Sequence, residues 1–416
     1  LIMSIILAAM APVMTTRSKA DSSSPWRYSP ENLSDAYFGP GESQVAMIGQ
    51  PNKLETDDAA RLILTTSSSL PIHLSFKRDN TTVGRLQFVD TNLVLGSGSM
   101  DHLTTGGSNN ISIGPNNLTQ VTSGSSNIAI GDNAMLSTTS GNNNIGIGTA
   151  LASNVDGSYN VAVGDDSLTK ANSSWNTAVG HNAYQLGTGG SNTIIGGDAM
   201  SEGSGSNNVA VGTNSLWYGS GDGNVAIGAN SNYKNQTLTT FTNSTAVGFS
   251  SYASGTGSVA VGANSSTLNA KAIAIGNATA IADSSISIGE KTTSSDENAI
   301  SMGTSSISSG DGSLSLGSWS EATGYRSVAV GPSAESSSYA SVALGSESGA
   351  RANYSISIGE FSRATEHAAV AIGDQAKAQG SQSVAIGQNS KVNGGNYSAA
   401  LGYSADASGN SAVAIG

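Results

Sequence analysis

Four kinds of residue in this chain could do chemistry, and their spacing decides which can act together. The histidines His73, His102, His181 and His367 are far apart, and there is no cysteine. A zinc or redox site needs ligands at short, fixed spacings that this set lacks. The string Gly219-Ser220-Gly221-Asp222-Gly223 has the glycine content of a phosphate loop. It precedes a strand instead of opening a helix and has no lysine after it, so it reads as a turn. It also lacks the repeated Asp of calcium-binding nonapeptide coils. Asp165, Asp166, Glu290, Asp296 and Glu297 are scattered acids, whereas glycoside cleavage needs two carboxylates facing one another. Aromatic rings are the remaining candidates. Trp175, Trp217, Tyr218 and Trp319 lie in or beside turns rich in Ser, Gly and Asn, where a ring can meet a sugar or pack on a neighbouring coil or subunit. No catalytic, metal or cofactor site is expected.

The elements that must position these residues are set by one short motif. It reads small-polar, Val or Ile, small, Val, Ile or Leu, then Gly, as in Ser258-Val259-Ala260-Val261-Gly262 and Ser383-Val384-Ala385-Ile386-Gly387. Its closing glycines run from Gly262 to Gly416 at a step of fourteen, with one contraction and one extension. An earlier series runs from Gly114 to Gly228 at sixteen or seventeen, Leu93-Val94-Leu95-Gly96 starts it, and Gly248 joins the two. A period that fixed over more than three hundred residues predicts a solenoid of some twenty-two coils with parallel strands, an all-β fold.

Within the motif, alternation puts the two large residues on one strand face and the small one on the other. The expectation is that Val259, Val261, Ile273, Ile275, Val384 and Ile386 fill the roll. Ala162, Ala210, Ala260, Ala274, Ala329 and Ala385 would then form a flat outward face, packed against a further copy of the chain. A second short strand is expected to carry an inward residue five after the glycine, as at Ala322, Ala350, Ala364, Ala378 and Ala407, with Ile281 and Val392 as larger versions. The extra residues of the longer coils are expected to lengthen a surface turn.

The stretch 1–20 begins LIMSIILAAM and continues to Ser18-Lys19-Ala20, which reads as a truncated secretory signal, or as residues upstream of a start at Met14. Residues 21–92 lack the repeat and are expected to be a separate β-rich region. A hairpin is predicted from Ile72, Leu74 and Phe76 through Asp79-Asn80 to Val83–Phe88. Lys77, Arg78 and Arg85 make its tip basic, as a solvated tip or a binding patch. The coils then divide into 93–248 and 249–416. Net charge is −12 with 17 Lys and Arg spread thinly, which argues against nucleic acid as a partner.

At these residues the chain resembles the head domain of YadA-like trimeric autotransporter adhesins, closely from Gly248 to Gly416 and more loosely from Gly96 to Gly228. The resemblance implies a left-handed β-roll, a homotrimer, and a non-enzymatic fibre on the bacterial outer membrane or cell surface. Such a fibre attaches to a host surface protein, matrix or glycan, and reaches the membrane only through an anchor that the sequence does not contain. The longer repeat is also similar to arrays in bacteriophage tail fibres, which leaves a virion receptor-binding fibre as the alternative.

Overall fold

The computed structural model describes seven strands between 26 and 89, and residues 91–416 other than 103–106, 171, 234–238 and 241. The stretch 1–20, with its leader reading, lies outside the described residues, as do Asp79 and Asn80. Every regular element among the described residues is a strand. The chain divides into two compact units, Leu1–Asp165 and Asp166–Gly416.

In the first unit, Ile72–Arg78 and Thr81–Val89 pair antiparallel, with Ile72 opposite Phe88 and Leu74 opposite Leu86. Thr81–Val89 then pairs antiparallel with Asn92–Leu95. The other edge of Asn92–Leu95 pairs in parallel with Ile111–Ile113, Leu93 opposite Ile111. The sheet therefore changes from meander to solenoid at Leu93-Val94-Leu95. The antiparallel strand also covers the edge that the first coil would otherwise leave unpaired. Parallel coils follow at Ile128–Ile130, Ile145–Ile147 and Val161–Val163.

In the second unit the three-residue strands run from Thr177–Val179 to Val413–Ile415, each in register with the next, as Val259 on Ile273 and Ala260 on Ala274. Short return strands from Tyr252–Ala253 to Asp406–Ser408 form a second parallel sheet of 12 strands. Because the register is residue on residue, each sequence position becomes a column along the stack, with rungs about 4.8 Å apart.

The faces of the main sheet are the reverse of the expectation. Ala162, Ala210, Ala260, Ala274, Ala329 and Ala385 are fully buried inside a single chain. Val259, Val261, Ile273 and Val384 are only half-buried, and Ile275 and Ile386 are each 39% exposed. The reason is circumference. A fourteen-residue coil closed by two tight turns cannot hold its sheets the usual ~10 Å apart, so only small side chains fit between them. Four such residues per coil point inward; in one coil they are Ser327, Ala329, Ala334 and Ser336, all buried. Hydroxyl pairs satisfy one another across this gap: Ser336 with Ser341 at 2.6 Å, and Ser315 with Ser320 at 2.7 Å. Inward return-strand residues occur as expected at Ala322, Ala350, Ala364, Ala378, Val392 and Ala407. They meet Ala and Ser, not Val and Ile. Ile281 is half-buried, and the shortened coil turns Ala280 inward in its place.

The longer coils also differ from expectation. Their additional residues do not lengthen a surface turn. A bulky residue, Leu118, Met135, Leu151, Leu168, Tyr184, Met200 or Leu216, is folded fully inside in the left-handed conformation. These coils have a wider core, filled from the turn.

Turn geometry fixes the glycines and strains other residues. Gly331 has φ +131, and a Cβ there would lie 2.5 Å from the Gly345 carbonyl oxygen of the next coil. Each fourteen-residue coil has two further corners in the left-handed region, and non-glycine residues occupy many of them, including Asn264, Trp319, Arg326, Ala340 and Tyr354.

Candidate functional site: the outward columns

With the small residues inside, three outward surfaces remain on the coils. The first is the outer face of the main sheet, where the two Val, Ile or Leu columns run side by side. Val328, Val330, Val342, Leu344, Ile356 and Ile358 are consecutive rungs, half-buried in one chain. A monomer seldom exposes a continuous apolar strip of this extent.

The second surface is the outer face of the return sheet, carried by the residue four after the closing glycine, or three after it in the shortened coil that follows Gly276. Its rungs change character along the second unit: Thr279 and Thr293, then Ile307, then Glu321 and Glu335, then Gly349, then Arg363, Lys377 and Lys391, then Asp406. Arg351 reaches back to Glu335 at 2.6 Å.

The third comprises the turn edges. Tyr325 stacks on Tyr339 with ring centroids 5.2 Å apart; Tyr354 meets Tyr339 edge-on at 5.3 Å, and His367 meets Tyr354 at 5.8 Å. The Arg326 guanidinium lies 4.9 Å from the Tyr325 ring centre. The sequence pattern did not single out this ladder, because one-residue shifts between coils hide its rungs. Trp175 and Trp319 are 62% and 64% exposed, both at left-handed corners, but on coils remote from one another. Trp217 and Tyr218 are half-buried instead, stacked on one another at 5.4 Å, with Tyr233 5.5 Å from Trp217. The structure therefore does not bring the four aromatic candidates into one site.

Buried polar columns are the largest feature missed in the sequence. In the first unit Asn92, Asn110, Asn127, Asn144 and Asn160 are stacked and buried. Each side-chain oxygen accepts the backbone N–H of the next Asn, as from Asn127 to Asn110 at 2.9 Å and from Asn144 to Asn127 at 2.9 Å. The amide groups donate to turn carbonyls, as Asn127 to Gly141 at 2.8 Å. The second unit opens with the same column, where Asn192 accepts from the Asn208 N–H at 2.9 Å. These Asn recur at the period of the glycines, which is the signal that would have found them. Tyr184 donates its phenol hydrogen to the Gly189 carbonyl at 3.2 Å, and its burial pushes the phenol pKa well above the usual range.

Among the described residues, no group of three or more His, Asp or Glu is placed to hold a metal ion. His102 sits on the Thr119 carbonyl at 2.7 Å, and His367 belongs to the tyrosine ladder. No helix among the described residues is long and apolar enough to cross a membrane.

Residues 242–416 match the YadA head domain repeat (2 copies), in successive windows from 242–265 to 394–416. The crystal structure of the collagen-binding domain of Yersinia adhesin YadA is similar at 18% identity. That likeness covers 51% of this chain and 67% of that chain, with a TM-score of 0.12. No curated protein matches the chain.

Proposed function

We propose that this chain, whose residues 242–416 are YadA-type head repeats, is a non-enzymatic trimeric fibre that attaches a bacterial surface to a host protein, matrix or glycan. The observation that carries the proposal is the outward Val/Ile strip. Three copies wound about one axis would remove it from water, and burial of apolar surface drives association at about 25 cal/mol per Å². The seam is thereby assigned to the valine and isoleucine columns and withdrawn from the alanines, which the coil itself already buries. The return sheet and the turn edges then face outward. Ligand contact falls there, with exposed Trp175 and Trp319 as candidates. Binding would be weak at each site and multiplied by threefold display. Display on the bacterial outer membrane is supported by the same head repeats.

Sedimentation equilibrium tests the assembly: a mass three times 41.5 kDa is expected, and a monomer at micromolar concentration overturns it. Attachment is tested with beads carrying the full chain on immobilised matrix protein or glycan. Retention above beads carrying an unrelated trimer is expected, and equal retention on every coating overturns the adhesive reading.

A further inference from the structure

The return-sheet column contains one segment in which cations occupy successive rungs. Arg363, Lys377 and Lys391 are consecutive rungs, in register, on the outward side of a sheet whose inward neighbours Ala364, Ala378 and Val392 are fully buried. Like charges placed directly opposite one another destabilise a sheet, and here three follow in succession on a chain of net charge −12. An acid stands in register only at the far end, where Asp406 is opposite Lys391; Arg363 has Gly349 on its other side, and Lys377 has a cation on both. Asp374 accepts the Gln388 amide at 3.0 Å and Asp406 accepts the Asn393 amide at 2.9 Å, while neither Lys377 nor Lys391 has an ion pair among the described residues. Arg363 donates to the carbonyls of Glu347 and Ser362, which fixes its guanidinium without neutralising it.

Beside the first two cations lies a shallow groove of about 450 Å³ lined by Phe361, Arg363, Gln375 and Lys377. The Phe361 ring is 39% exposed at a left-handed corner. An apolar ring, a neutral amide and a line of cations together match one ligand chemistry. The ring offers a face to a pyranose, the amide a partner to its hydroxyls, and the cations partners to repeated anionic groups. We propose that this column binds an extended sulfated polysaccharide lying along the coil-stacking direction. The assignment deepens the adhesive reading and rests on it for biological meaning, but the site lies within one chain and does not require the trimer.

The test is titration of the full chain with heparin, desulfated heparin and a single-stranded oligonucleotide of equal charge, at about 0.15 M salt, physiological ionic strength. Heparin is expected to bind, desulfated heparin not to bind, and the oligonucleotide to bind at least about tenfold more weakly. The double variant Lys377→Ser/Lys391→Ser should lose at least about tenfold in heparin affinity while its melting temperature is unchanged or higher, because repulsion is relieved. Phe361→Asn, which keeps a left-handed corner accessible, should weaken heparin binding separately. Undiminished binding by the double variant, no heparin binding by the parent chain, or equal binding of the oligonucleotide overturns the assignment. Because trimer mass is measured independently, loss of this proposal leaves the fibre reading standing.

Discussion

At the residue scale, the stability of the longer coils rests on buried amides as much as on apolar groups. Removing the Asn127 side chain orphans the Asn144 N–H and the Gly141 carbonyl, both of which it now satisfies. Asn127→Ala is therefore expected to cost about 2–4 kcal/mol, read as a lower melting temperature. An unchanged melt would mean that water replaces the ladder at no penalty. Corner residues make the opposite case. Ala340 sits at φ 50, and Ala340→Gly should leave stability unchanged or raise it by up to about 1 kcal/mol, since relief of left-handed strain offsets the added freedom of the unfolded chain. A clear loss of stability would show that the methyl has a packing role. The Asn column was hidden in the sequence by composition: among so many Ser, Gly and Asn, a buried Asn looks like one more turn residue. Its period alone distinguishes it.

At the scale of the coil, periodicity was legible and direction was not. Alternation of Val and Ala in Val259-Ala260-Val261 shows two faces, and ranking by size puts the valines inside. The closed circumference overrides that ranking, because a fourteen-residue turn has room only for methyl and hydroxymethyl groups between its sheets. The same geometry separates the two repeat lengths. Ala371→Leu in a short coil overpacks a gap with no slack and should cost about 1–3 kcal/mol or more. Met135→Leu in a long coil is nearly volume-conserving and should cost less than about 1.5 kcal/mol. Calorimetry of both variants checks the contrast, and equal losses would contradict the wider core. The return-strand residues Ala322 and Ala378 were correctly read as inward because any arrangement of the roll places them there.

At the scale of the whole molecule, a single chain displays an apolar strip that solvent does not favour. Val342 points outward on that strip, so Val342→Lys should leave the coil's circular dichroism intact while converting the trimer to smaller species. Ala343→Lys, one residue on, should instead unfold coils, since Ala343 is fully buried. If the two variants behave alike, the separation of seam from core fails. Sequence patterning pointed to self-association through a sheet face with no charge on it, a criterion that both faces satisfy; the alanine face is buried within the coil, which leaves the valine and isoleucine face for the proposed seam.

The register of the stack also has a mechanical meaning. Backbone bonds between coils, such as Gly345 N–H to Val330 at 2.8 Å, join one coil only to the next. Tension applied to the chain ends along the stacking direction would open the outermost coil first, because it is held on one side only, so a single chain would peel and not snap. Each fourteen-residue coil, as from Gly331 to Gly345, releases about 45 Å of extended chain. Extension under load would thus proceed as a series of equal, small yields, and a tether built this way absorbs a pull by lengthening before it lets go.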